Sequence, residues 1–166
     1  EVAAFILGEV EKEGVETSWE SSQCPAVFTG PESAGAHARP TDRKIDKGHV
    51  LNIDFGTRKL DYCSDLQRTW YFLRDGEEDA PEEVKKPFYV IRDSIALAAE
   101  KIRPGMEGRE IDSIARDYIT GNGYEEYPHA LGHQVGRSTH DGAGLLCPVW
   151  ERYGNLPYLK IEENQV

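Results

Sequence analysis

The sequence predicts an α/β chain of the α+β kind, and three observations predict it. An apolar, β-branched run over residues 50–55 is followed by a turn and a second strand-like run over 62–73, the pattern of an antiparallel β-hairpin. Apolar residues at helical spacing flank that hairpin on both sides. A helix closing on glycine leads twice into a histidine-bearing loop, from Gly14 to His37 and from Gly123 to His129 and His133, which predicts two pseudo-two-fold related halves rather than a solenoid.

The first element is a helix, because Val2, Phe5, Ile6 and Val10 repeat at i, i+3, i+4, i+8 and stop at Gly14. A strand is expected over Ala26–Thr29, followed by the loop PESAGAHARP. His37 in that loop is a functional candidate, set against a plain solvent-exposed loop histidine. After the hairpin, residues 75–83 form an acidic, linker-like turn that divides the halves. Val84, Phe88, Ile91, Ile95, Ala98 and Ile102 predict a long helix buried along that stripe, with Pro87 tolerable only in its first turn, and Pro104-Gly105 stops it. Ile111, Ile114, Ala115, Tyr118 and Ile119 predict a further helix, closed by Gly121-Asn122-Gly123.

Composition narrows the functional classes. A chain of 166 residues is long enough to bury one real core. Lys+Arg total 19 against Asp+Glu 30, a formal net charge of -11, which argues against nucleic acid and against an anionic membrane surface as partners. Cys24, Cys63 and Cys147 are odd in number and form no C-x-x-C, so neither a disulfide framework nor a thiolate zinc site is expected, and a reducing cytoplasmic setting fits. No run of apolar residues is long enough for a membrane span, and no signal-peptide pattern opens the chain.

The hairpin carries the chemistry. A four-residue loop over 58–61 would set Thr57 opposite Tyr62 and, in the same register, Asp54 opposite Asp65. Like charges so opposed repel, so a shared proton or a divalent cation is needed to offset them. The bland alternative makes Asp54 a turn residue before Gly56 and pairs Asp65 with Arg68, but a lone carboxylate inside an apolar run costs several kcal/mol. Three of the five histidines, His129, His133 and His140, fall within PHALGHQVGRSTHD. The glycines and Val135 argue for extended backbone there, so one imidazole ligand is expected rather than a helical pair; a purely structural histidine is the competing reading.

Taken together, A-H-A-R-P, D-F-G, Y-C-S-D-L-Q-R-T eleven residues on, and P-H-A-L-G-H-Q-V-G followed by H-D resemble the pita-bread metallopeptidases of the M24 family, nearest to Xaa-Pro dipeptidases (prolidases) and aminopeptidase P. The resemblance covers almost the whole chain. It implies the pita-bread (creatinase/aminopeptidase-like) fold around a curved, mostly antiparallel sheet. It also implies two divalent metal ions, manganese or cobalt, with zinc or iron as alternatives. Carried over position by position, it makes Asp54, Asp65 and His133 metal ligands, and His37, His129 and His140 catalytic groups that position substrate and stabilise the tetrahedral intermediate. The implied substrate is a peptide or dipeptide with proline in second position, and a homodimer is compatible. Two further glutamate ligands are expected downstream of Glu162 and Glu163, which themselves look like turn residues. Residues 1–166 are therefore expected to be an incomplete catalytic domain, lacking an N-terminal domain and the C-terminal metal-binding strands, and inactive alone. The competing readings are a non-catalytic pita-bread module that binds a peptide or protein, and a metal-independent C–N hydrolase resembling creatinase.

Overall fold

The structure is a computed structural model that describes residues 1–31, 42–142 and 144–166, so His37 lies outside the described residues. The chain divides into two units, residues 1–80 with 135–139, and residues 81–134 with 140–166.

The first unit opens with helix α1, Val2–Lys12, which buries Val10 while Phe5 faces solvent. Strands β1 (Glu16–Thr17), β2 (Ala26–Thr29), β3 (Val50–Phe55), β4 (Thr57–Lys59), β5 (Tyr62–Cys63) and β6 (Leu66–Tyr71) follow. They form two antiparallel sheets, β1-β4-β5 and β2-β3-β6. The hairpin predicted from sequence is present, but it changes sheets half-way along, at Gly56 on one arm and Ser64-Asp65 on the other.

Its register differs from the expected one. Lys59 pairs with Tyr62, so the loop is the two residues Leu60 and Asp61 rather than four, and Asp54 faces Gln67, not Asp65. Leu60 and Asp61 have φ of 52° and 64°. Positive φ at both central positions is what a tight hairpin turn needs to match strand twist, and a leucine gives no sequence signal for it. Asp65 lies outside the ladder, between β5 and β6. The premise of directly opposed carboxylates therefore falls.

In the second unit, α2 (Glu82–Lys101) and α3 (Gly108–Gly121) pack together, with short strands β7 (Gly132–His133) and β8 (Leu145–Leu146) antiparallel. Ala98, Ile111 and Ala115 form the core, joined by Ile102, Met106, Ile114, Leu131 and Leu146. The α2 stripe is buried only at its C-terminal end, at Ala98 and beside Ile102: Phe88, Ile91 and Ile95 are about half exposed at 45%, 51% and 54%, while Val90 and Ser94 are buried in their place. Small side chains let α3 approach closely, and Ser94 Oγ is satisfied by donating to the Ile91 carbonyl at 2.7 Å. Pro87 sits beyond the first turn, at the sixth helical position, contrary to expectation. Helix α3 begins as a capping box would, with the Glu107 amide donating to Glu110 Oε2 at 2.7 Å.

The three cysteines are free. Cys147 is fully buried, and burial pushes its thiol up from 9.0 to about 11. Above pH 9 the unfolded chain releases a proton that the folded chain keeps, so the unfolded state binds fewer protons and stability falls as pH rises. The contribution is complete below about pH 9 and lost through about pH 11, on the order of 2 kcal/mol. Denaturant melts from pH 8 to 11 should show that decline in the parent and a shallower one in Cys147→Ala; equal slopes would refute the assignment.

Candidate functional site

The alternation of β3 puts Val50, Asn52 and Asp54 on one face of its sheet, with Ala26 and Phe28 of β2 and Gln67, Thr69 and Tyr71 of β6. That face carries polar groups where an ordinary core would be apolar. Asp54 is only 6% exposed, and Gln67 Nε2 donates to its Oδ2 at 3.2 Å. Asn52 Nδ2 donates to Thr69 Oγ1 at 2.9 Å, whereas Asn52 Oδ1 is buried with no hydrogen-bond partner among the described residues. A buried acceptor left so costs about 1–3 kcal/mol, which is the mark of a face built to meet a polar or charged group. Cys24, at the edge of this face, has its thiol pushed up by burial first and by the negative charge of Asp54 to a lesser degree.

The histidine segment belongs to the second unit, except for residues 135–139. His133 ends β7 and pairs with Leu145; the Leu131 amide donates to the Leu146 carbonyl at 2.8 Å and the Gln134 amide to the Gly144 carbonyl at 2.9 Å. His129 Nδ1 lies 2.7 Å from the Ala130 carbonyl oxygen, and His133 Nδ1 lies 3.2 Å from that of Gln134. A carbonyl oxygen only accepts, so in both rings Nδ1 is the donor of that bond. Such a backbone bond is how a metal-binding histidine has its tautomer and orientation set. His140 meets His133 edge to face, with ring centroids 4.2 Å apart and an interplanar angle of 81°.

The structure thus places Asp54 on the polar sheet face, Asp65 at the break of the hairpin, and His129, His133 and His140 on one segment, with His133 and His140 in ring contact. Asp54 and Asp65 belong to the first unit and His133 to the second. Among the described residues, no group of three or more His, Cys, Asp or Glu side chains is gathered closely enough to hold an ion. In donor chemistry the residues fit a divalent cation, with hard carboxylate oxygens, one imidazole whose Nδ1 is turned to a backbone carbonyl and, among the described residues, the unmet Asn52 acceptor on the same sheet face. Gln67 was not a candidate from sequence. Reading the hairpin turn as two residues would have found it.

The profile of metallopeptidase family M24 matches residues 1–166. The chain belongs to metallopeptidase family M24. An uncharacterised peptidase of Bacillus subtilis is 35% identical over 120 residues, 72% of this chain and 33% of the relative. Among solved structures, a prolidase from Thermococcus sibiricus is 34% identical with a TM-score of 0.77, covering 89% of this chain and 38% of that one. An X-Pro aminopeptidase from Thermotoga maritima is 27% identical with a TM-score of 0.80, over 98% and 42%. The M24 chain thus spans about a third of the curated relative and about four tenths of these two structures. The mixed α/β pita-bread fold expected from sequence is that of these M24 neighbours. M24 membership implies a divalent-metal cofactor in general terms. Among the described residues no helix is long and apolar enough to cross a membrane.

Proposed function

We propose that the protein carrying this M24 chain is a dinuclear metal-dependent peptidase that hydrolyses the Xaa-Pro bond at the N-terminus of peptides or dipeptides. The observation that carries this reading is the histidine segment itself, in which His129 and His133 each turn Nδ1 to a backbone carbonyl and His133 meets His140 edge to face. Likeness to a prolidase and an X-Pro aminopeptidase supports the substrate class.

In this reading Asp54, Asp65 and His133 would hold two divalent ions, manganese or cobalt before zinc or iron, together with two glutamates that these 166 residues do not supply. When bound, the ions polarise the scissile carbonyl and bring the pKa of a water to about 7. The chain's own residues do the rest. Gln67 orients the Asp54 carboxylate through its amide. His140 keeps the plane of His133 by edge-to-face contact. His129 and His140, with His37 assigned from its motif, position the substrate and stabilise the tetrahedral intermediate by hydrogen bonds. Proline after the cut makes a tertiary amide with no N–H, so recognition falls on ring shape and the carbonyl.

The test is an assay of the complete protein with manganese or cobalt, using an Xaa-Pro dipeptide against an Xaa-Ala control. Turnover of the first alone, lost on chelation and regained with manganese, is expected. Manganese binding with no turnover of either dipeptide would instead favour a non-catalytic binding module.

A further inference from the structure

The second unit buries an ion pair that none of the roles above uses. Asp112 and Arg116, four apart on α3, have side chains only 1% and 10% exposed. Arg116 grips Asp112 in two-pronged fashion, Nε to Oδ2 at 2.6 Å and Nη2 to Oδ1 at 2.9 Å. Burying such a pair gives little net stability over apolar residues of similar volume, so its presence calls for another reason.

That reason lies in what the remaining donors and acceptors hold. Arg116 Nη1 donates to the Tyr127 carbonyl at 2.8 Å and to Glu126 Oε1 at 3.0 Å, while Nη2 donates to the His129 carbonyl at 2.8 Å. Arg152 Nη2 donates to the carbonyl between them, that of Pro128, at 2.5 Å. Asp112 Oδ1 accepts from the Leu131 amide at 3.0 Å. Three consecutive carbonyls and the amide that leads into β7 are therefore tied to two arginines and one aspartate. Trp150 stands against both guanidinium groups, its ring 4.9 Å from Arg116 Cζ and 4.6 Å from Arg152 Cζ, which keeps the two forks in place.

We propose that Asp112, Arg116 and Arg152 are positioning residues for the histidine segment. They fix the irregular backbone from 127 to 131, so that the His129 and His133 rings are presented at set places. This rests on the reading of those histidines given above. Only an arginine fork reaches two carbonyls while keeping its carboxylate, so lysine is not an equivalent.

The test uses the complete protein. The double variant Asp112→Leu/Arg116→Met removes the pair without leaving a lone buried charge, and its melt is expected to fall only by the loss of the bonds to the Tyr127 and His129 carbonyls and the Leu131 amide. Amide exchange over residues 127–133 should rise at least about tenfold. The ring ¹⁵N resonances of His129 and His133 should shift from a single Nδ1–H tautomer towards a mixture. Manganese affinity should fall about 10–100-fold, as when outer partners of metal ligands are removed. Arg116→Lys should move exchange and resonances in the same direction. If the double variant does not fold, Arg152→Met, which releases the Pro128 carbonyl and the stacking on Trp150 and Tyr153, carries the test by the same two readouts. Unchanged exchange and unchanged histidine resonances in a folded variant overturn the proposal, whether or not the parent binds manganese. Failure of the parent to bind manganese overturns the metal reading instead and leaves those resonances to decide this one.

Discussion

Replacing Gly56 with alanine should destabilise the chain by roughly 3 kcal/mol, near the upper end of what overpacking costs. A Cβ there would fall deep inside contact with the Ser64 carbonyl oxygen, with Ser18 Oγ at 2.8 Å and the Ser64 carbonyl carbon at 2.9 Å. Two of those three atoms are backbone and cannot swing aside. Gly56 is also a junction, its carbonyl accepting from the Ser18 amide at 3.0 Å and lying 3.6 Å from Cys24 Sγ. Its φ is not in the left-handed region, so the whole effect is steric. Gly8 in α1 is the control: nothing lies within 4 Å of its ideal Cβ, and alanine there should stabilise by up to about 1 kcal/mol. Urea melts of both variants check the pair. A Gly56→Ala loss below that of an ordinary surface change, about 0.5 kcal/mol, would show that the Gly56–Ser64 approach is not tight.

The other large effect concerns the proposed metal site. In the complete protein, Asp54→Ala should abolish manganese binding and turnover together, while Gln67→Leu should weaken affinity by about 10–100-fold and leave a measurable rate. The gradation follows from position, since Asp54 offers the carboxylate and Gln67 only orients it through Oδ2. Calorimetric titration with manganese measures affinity apart from activity. Equal affinities for the parent and Gln67→Leu would mean that the amide packs beside Asp54 without steering it. An Asp54→Ala protein that still bound two ions would remove Asp54 from the ligand set.

Much of this was legible because period and composition carry it. The apolar run around Asp54 showed the strand, the glycines marked the ends of α1 and α3, and the histidine motif marked the segment now seen in β7. The register was not legible, because Leu60 occupies a positive-φ turn position for which leucine is a poor advertisement. The buried face of α2 was half hidden for a different reason. Ala98 lay on the predicted stripe, but Ser94 is small and polar, and close helix approach favours it over the larger Phe88, Ile91 and Ile95. Asp112 and Arg116 drew no reading from the sequence, since burial of such a pair depends on a loop that folds over it from a dozen residues away.

The two-residue turn also makes this hairpin count in twos. Side chains alternate faces along a strand, so the observed register and one built on a four-residue loop differ by two and keep every residue on its own side. An inserted pair of residues at the turn leaves the register as it is, or moves Asp65 opposite Asp54; either way the polar face survives. A single inserted residue, with the tight turn kept, turns Leu66, Arg68 and Trp70 onto the face of Asp54. Length changes at this turn are thus filtered by parity before they are filtered by size.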